Sequence, residues 1–366
     1  MKQPFRLALA IAVALSVGSV VRAQDAKSKI EQYMDATAKV DHFMGAVLVA
    51  QHGTVLFSAG YGLANVKVGI RNAPKTEFQV ASITKEFTAM AVLELQERGK
   101  LNVQNPVCKY VPSCPKDWAP ITIFNLLTHT SGIPDFTTFP VYSKVETQPE
   151  TPRELLALFE NRPLVFTPGI KYAYSNSGYI LLGYIVQRVS GEAYPEFLAK
   201  NIFTPLGMRH TGYDGGHPSG SNRARGYFYS KGRYVPAAYV NMTALFSAGG
   251  LYSTVLDLYK WERAVHDGKL ISGRLRDEMI APQVSMDSSG EFHSGFGWVI
   301  QTKFGHKEVS HSGGVQGFTS RNVWFPDDDA YIIVLDNMTL PPPRVGDIGD
   351  ALAAILFNKE YAIPKS

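Results

Sequence analysis

Ser82-Ile83-Thr84-Lys85 sets a hydroxyl and an amine three residues apart. On a helix that offset puts both side chains on one face, a turn apart. A serine so placed becomes a nucleophile when a neighbouring base takes its proton. A lysine is that base only where desolvation keeps its amine neutral. At the start of a helix the serine's own N–H has no intrahelical partner and can face a developing oxyanion. The ordinary alternative is a serine that caps a helix and a lysine in water. The same spacing recurs in Ser113-Cys114-Pro115-Lys116, where Pro115 blocks a helix. Only the first copy is expected to carry chemistry.

Two further groups suit the same reaction. Tyr174-Ser175-Asn176 follows Pro168-Gly169 and leads into an apolar run. A phenol there can shuttle a proton between nucleophile and leaving group, while the amide holds the lysine or a substrate carbonyl. A second Tyr-x-Asn, Tyr239-Val240-Asn241, shows no such turn-to-helix setting and reads as packing. His311-Ser312-Gly313-Gly314 follows a short apolar stretch. Its glycine pair lets a substrate backbone approach closely, and the Gly314 N–H can be a second oxyanion donor. His129 could be imagined as a triad base, but its turn-rich surroundings favour a structural hydrogen bond.

These groups need elements to hold them. Ser82 to Arg98 lacks Gly and Pro, places apolar residues at Phe87, Met90, Ala91, Leu93 and Leu95, and ends at Gly99, which predicts a helix. Ser177 to Val189 predicts another, preceded by Asn176. Leu251 to His266 predicts a third, capped by Ser253 or Thr254. Residues 46–57 read as a hairpin turning at Gln51-His52-Gly53. Strands are expected at Phe296–Gln301, Val309–His311, Phe318–Phe325 and Ala330–Leu335, with a last helix near Val345–Asn358. The short turns between them favour antiparallel pairing. The expected class is α+β: one antiparallel sheet from residues 40–60 and 295–340, flanked by helices, with a mainly helical lobe inserted between.

The three motifs in this order resemble the serine β-lactamases of class C and their relatives, namely penicillin-binding peptidases, D-amino-acid aminopeptidases and carboxylesterases. The likeness runs over roughly residues 40 to 358 and includes Leu126-Leu127-Thr128-His129-Thr130-Ser131-Gly132 and Ser247-Ala248-Gly249-Gly250-Leu251. It implies a β-lactamase/transpeptidase-like fold and an acyl-enzyme mechanism without metal or cofactor. Carried over, Ser82 is the nucleophile, Lys85 and Tyr174 handle the proton, and Asn176, His311, Ser312 and Gly313 meet the substrate. The N–H groups of Ser82 and Gly314 form the oxyanion hole. The antibiotic-hydrolysing members have Lys where this chain has His311, and related esterases and aminopeptidases also use His. With a reference pKa near 6.5, His311 is largely neutral at pH 7 and is expected to begin charging toward pH 6. An esterase or D-amino-acid peptidase is therefore favoured over a true β-lactamase or D-alanyl carboxypeptidase. The alternative of another class is a non-catalytic peptidoglycan-binding sensor, which would not need Ser82, Lys85 and Tyr174 together.

Composition agrees with an exported globular enzyme. The 366 residues are 45% hydrophobic and 19% charged, with 32 Gly and 22 Pro. Lys2 and Arg6 precede an apolar run from Leu7 to Val21, shorter than the roughly 20 residues that span a bilayer. Val21-Arg22-Ala23 resembles a cleavage site, so residues 1–23 read as a signal peptide and 24–366 as one hydrolase domain, periplasmic or secreted. Loss of Lys2, Arg6 and Arg22 lowers the net charge of +4 to about +1, which leaves no basic patch for nucleic acid. Cys108 and Cys114 enclose a short loop that a disulfide can close after export. Expected partners are small or peptide substrates, including peptidoglycan-derived ones, with no stable membrane span after processing.

Overall fold

The computed structural model describes residues 24–215, 222–339 and 344–365. The signal-peptide reading and its site at Ala23 lie outside the described residues. Among these residues no helix is long and apolar enough to cross a membrane.

The frame is an eight-stranded antiparallel sheet. Its strands are β1 (Gly45–Gln51), β2 (Thr54–Tyr61), β3 (Val284–Ser285), β4 (His293–Ser294), β5 (Val299–Lys303), β6 (His306–Val315), β7 (Phe318–Phe325) and β8 (Ala330–Asp336). Their order across the sheet is β3-β4-β5-β6-β7-β8-β1-β2, so the chain's two ends meet where β8 pairs with β1 from Gly45↔Asp336 to Gln51↔Ala330. Tight turns set this pairing. The β5–β6 hairpin turns on Phe304 and Gly305 at φ 55° and 88°, and the β1–β2 hairpin on His52 and Gly53 at 51° and 73°.

Both faces of the sheet are covered, which explains the unbroken apolar runs in β1 and β8. Ala46, Leu48 and Ala50 pack toward the helical lobe, while Val47 and Val49 pack the other way. The second face is closed by helix α1 (24–40) and by the last helix, α5 (Val345–Leu356). The lobe centres on α2 (Thr84–Glu97), α3 (Asn176–Ser190) and α4 (Val255–His266). Helix α2 is buried on all sides from Thr84 to Leu95. It therefore carries Lys85, Glu86 and Thr88 into a dry interior, where each needs a partner.

Several expected boundaries shift. Ser82 sits in a 3-10 turn, Ala81–Ile83, just ahead of α2. Ser175 rather than Asn176 caps α3, accepting from the Gly178 N–H at 3.3 Å. Leu251–Ser253 is a strand between Phe78–Gln79 and Gly212–Tyr213, so α4 starts after Thr254, which caps it. His311 stands inside a ten-residue strand, and Phe296 precedes β5. Asn241 caps a short 3-10 turn, Met242–Ala244, so the second Tyr-x-Asn does have a turn setting. The strand at Leu251–Ser253 is set by distant pairing, whereas the Ser175 and Asn241 caps are local.

Candidate active site

Ser82 lies where the lobe meets the sheet. Ala81, just before it, has φ 45°, a left-handed conformation unfavourable for a residue with a side chain. Strand β6 crosses directly behind this turn. A Cβ on Gly313 would collide with the Val80 carbonyl and the Ser320 hydroxyl, and would lie 3.1 Å from the Ser82 nitrogen. A Cβ on Gly314 would meet nothing within 4 Å. The first glycine thus lets the strand press against the serine turn, and the second borders open space.

Lys85 is fully buried. Its Nζ lies 2.7 Å from the Ala248 carbonyl, 2.8 Å from Asn176 Oδ1 and 3.2 Å from Ser82 Oγ. Burial lowers its pKa to about 7, against the opposing charge of Asp135. A neutral amine has two N–H bonds and one lone pair. The two shorter contacts are to pure acceptors and take the two protons, which leaves the lone pair for the Ser82 hydroxyl. The geometry therefore favours a base.

The partners of Lys85 are themselves held. Asn176 Nδ2 donates to Asp135 Oδ2 at 3.0 Å, which turns Oδ1 toward Lys85. Asp135 caps the turn Phe136–Thr138 through the Thr137 N–H at 3.1 Å. Ala248 belongs to the short helix Phe246–Gly249, which packs on α3 at Gly183, where a larger residue would collide with Ser247.

Tyr174 stacks on His129 with ring centroids 4.4 Å apart, and Lys85 Nζ lies 4.8 Å from its ring centre. Desolvation drives its phenol pKa well upward, opposed by a hydrogen bond with Ser82. His129 positions this tyrosine. Its Nδ1 accepts from the Ser175 N–H at 3.1 Å and its carbonyl from the Ala173 N–H at 2.9 Å. Burial and then the Lys85 charge hold its pKa well below the usual range. Its Nδ1 is occupied, so His129 is a prop for the Tyr174 loop, as its turn-rich surroundings implied.

His311 faces the same cleft, with its ring centroid 6.3 Å from that of Tyr174. Its Nδ1 lies 2.7 Å from the Ser312 carbonyl, a pure acceptor, so Nδ1 carries the proton and Nε2 is left as an acceptor. Burial, reinforced by Lys85, lowers its pKa to about 3. The expectation that it starts to charge toward pH 6 is therefore corrected: the ring stays neutral far below that. Ser312 is exposed, and its Oγ accepts from Arg321 Nη1 at 3.0 Å. The structure thus brings Ser82, Lys85, Tyr174, Asn176, His311 and Gly313 to one cleft. It leaves Ser113 and Lys116 exposed on the loop that the Cys108–Cys114 disulfide closes.

Sequence reading missed Asp135 and the Ala248 carbonyl. Asp135 had a signal, as an Asp before Phe136-Thr137-Thr138 reads as a turn cap. It also missed a buried acid pair next to Lys85. Asn322 donates to both Glu86 and Glu262, and Trp261 Nε1 donates to Glu86 at 2.8 Å. Burial and mutual repulsion raise the pKa of Glu86 well above the carboxylate range, and burial raises that of Glu262 to about 8.

A two-faced antiparallel sheet with a helical lobe, and a Ser-x-x-Lys turn where they meet, define a serine hydrolase fold of the penicillin-recognising class. The chain belongs to the Beta-lactamase family, whose model matches residues 28–357. It is 31% identical over 341 residues to PbpX of Bacillus subtilis (strain 168), covering 93% of this chain and 81% of that protein. It is 26% identical over 278 residues to the teichoic acid D-alanine hydrolase of Staphylococcus aureus, covering 76% and 67%. Among solved structures, the octameric penicillin-binding protein homologue from Pyrococcus abyssi superposes with a TM-score of 0.79 at 30% identity, covering 91% of this chain and 77% of that one.

Proposed function

We propose that this protein hydrolyses esters or amides through an acyl-enzyme on Ser82, with esters and D-aminoacyl compounds as its preferred class. The observation that carries the reading is the environment of Lys85: dry, lowered to about 7, and with a lone pair left for Ser82 Oγ at 3.2 Å. Lys85 takes the hydroxyl proton as Oγ bonds to the substrate carbonyl carbon. The N–H groups of Ser82 and Gly314 receive the oxyanion. Tyr174 stays protonated in the resting site and gives its proton to the leaving oxygen or nitrogen as that bond breaks, while Lys85 restores the phenol proton. Water then adds to the acyl carbon by the reverse roles and frees the acid. Asn176, His311, Ser312 and Gly313 line the substrate's path.

A neutral His311 supports the ester and D-aminoacyl preference, because it supplies no charge to a carboxylate on the leaving-group side and the nearby Arg321 is already paired with Glu308 at 2.6 Å. The teichoic acid D-alanine hydrolase supports the same class. We further read residues 24–366 as one exported domain acting on cell-wall-related or other small substrates, consistent with the disulfide and the leader-like first residues. The test is a fluorophosphonate label followed by peptide mapping, then a panel of short nitrophenyl esters, D-alanyl peptides, D-amino-acid amides and a chromogenic cephalosporin. Labelling at Ser82 with esters or D-aminoacyl compounds fastest is the expected result. No label, or a cephalosporin as best substrate, overturns the proposal.

A further inference from the structure

Strand β6 gives the cleft a direction. The proton donor Tyr174 stands beside its His311 end, and a leaving group must lie within hydrogen-bond reach of that donor to be protonated. The acyl side of a substrate held at Gly314 therefore runs the other way, toward Val315 and the β6–β7 turn. Among the described residues, β5 leaves the ladder at Ser310, so this end of β6 is paired in the sheet only by β7. Val315 is the last residue of β6, and Gln316 follows it in the turn.

A cavity of about 470 Å³ opens there. Gln316 and Gln79 line it, with Phe318 and Val240 as apolar wall. Val240 belongs to a small buried cluster with Met242 and Leu245 on which Val315 packs, which joins this wall to β6. Two guanidinium groups, Arg223 and Arg225, also line it, and no acid does among the described residues. Arg223 is built in: it is 8% exposed, 3.5 and 3.6 Å from Asp214 and Glu77, and its guanidinium carbon lies 3.4 Å from the Tyr252 ring centre. Those two carboxylates offset its charge. Arg225 is exposed and makes no ion pair with a described residue, so its charge is available to a ligand.

Building on the acyl-enzyme reading above, we propose that this cavity is the acyl subsite and that it selects acyl groups with an apolar body and a carboxylate at the far end. The apolar wall takes the body, the volume is within the usual range for small-molecule pockets, and Arg225 meets the carboxylate. This is the opposite end of the cleft from His311. A free anionic end and a neutral His311 are thus compatible within one substrate.

The experiment compares kcat/KM for p-nitrophenyl acetate, p-nitrophenyl hexanoate and the mono-p-nitrophenyl ester of adipic acid. Wild-type protein should favour the adipate ester over the hexanoate by about fivefold at low salt, the scale of a partly exposed charge pair. Added salt should shrink that ratio. Arg225→Gln should bring the ratio to about one with acetate turnover unchanged. Ala238→Trp, at an exposed position lining the cavity, should slow both six-carbon esters and spare acetate. Equal wild-type rates on adipate and hexanoate, or a ratio that survives Arg225→Gln, overturns the subsite. Equal loss on acetate and hexanoate in Ala238→Trp does so too. Failure of acetate turnover together with no label on Ser82 removes the acyl-enzyme reading itself, and the subsite with it.

Discussion

The chain spells Ser-x-x-Lys twice, and the two copies end in opposite surroundings. Ser82 and Lys85 meet across a turn that enters a fully buried helix, and the lysine finds three partners within 3.2 Å. Ser113 and Lys116 stay in solvent on a loop tied by Cys108 and Cys114, and Ser113 itself has φ 53°. Identical spacing thus yields a candidate nucleophile in one place and a surface loop in the other. What separates them is desolvation, since an exposed lysine keeps its proton and cannot activate a hydroxyl. Behind each copy lies a different support: a buried acid pair next to Lys85, and a covalent bridge beside Ser113.

The sharpest way to break this contrast is to remove each serine. Ser82→Ala should abolish covalent labelling and lower kcat by about 10⁴ or more, as losing the nucleophile does in other serine hydrolases. Ser113→Ala should leave both within twofold. Label retained in Ser82→Ala, or lost in Ser113→Ala, would reverse the assignment.

The role of the dry lysine appears next, in the pH profile. Lys85→Met should cost about 10³ in kcat, in the range of general-base loss. In wild-type protein, kcat/KM should fall as pH drops below about 7, because Lys85 then holds its proton. No alkaline limb from Tyr174 is expected below pH 10, since its pKa is raised well above the usual value. A rate on carboxylate-bearing substrates that climbs toward pH 6 would restore a charging His311. Asp135 sharpens the same point. Its charge raises the Lys85 pKa, so Asp135→Asn should move the acid limb to lower pH; the carboxamide keeps the turn cap but cannot also accept from Asn176, so a loss of kcat accompanies the shift. An unmoved limb would make Asp135 purely structural.

The two supports give smaller effects, read in stability. Glu86 and Glu262 hold protons in the folded state that an unfolded chain releases above about pH 4.5. Their contribution is therefore full below that pH and is lost as pH rises toward 8. Buried Glu94 and Asp336, also raised, act in the same direction, while His129 and His311, held neutral in the fold, act in the opposite one, so the acid pair is read as a difference between variant and wild type. Denaturant titrations of wild type and Glu262→Gln between pH 5 and 7 should give a stability difference that changes by about 2 kcal/mol, the wild type losing more as pH rises. Equal slopes would sink the account of acids kept protonated by burial. Replacing Cys108 and Cys114 by Ser should cost about 2 kcal/mol, the chain-entropy estimate for so short a loop, and leave labelling of Ser82 intact. Loss of labelling would tie the loop to the site.

Much of the frame was legible from local signals. Gln51-His52-Gly53 marks a hairpin, Phe318–Phe325 matches β7, and Thr254 was one of two caps foreseen for α4. Ser82, Lys85, Tyr174 and His311 could be singled out because their chemistry and short spacings are written within single segments. What the tertiary structure alone decided depends on residues far apart in the chain. Leu251–Ser253 is a strand because Phe78–Gln79 and Gly212–Tyr213 pair with it. Lys85 is lowered to about 7 and His311 to about 3 because both lie inside the packing between the sheet and the lobe. The Ala248 carbonyl meets the lysine only through the packing of α3 against the Phe246–Gly249 turn. Propensity and periodicity act over a few residues, whereas desolvation is set by everything that surrounds a group. The sequence therefore names the candidate reacting groups, and the assembled fold sets their protonation.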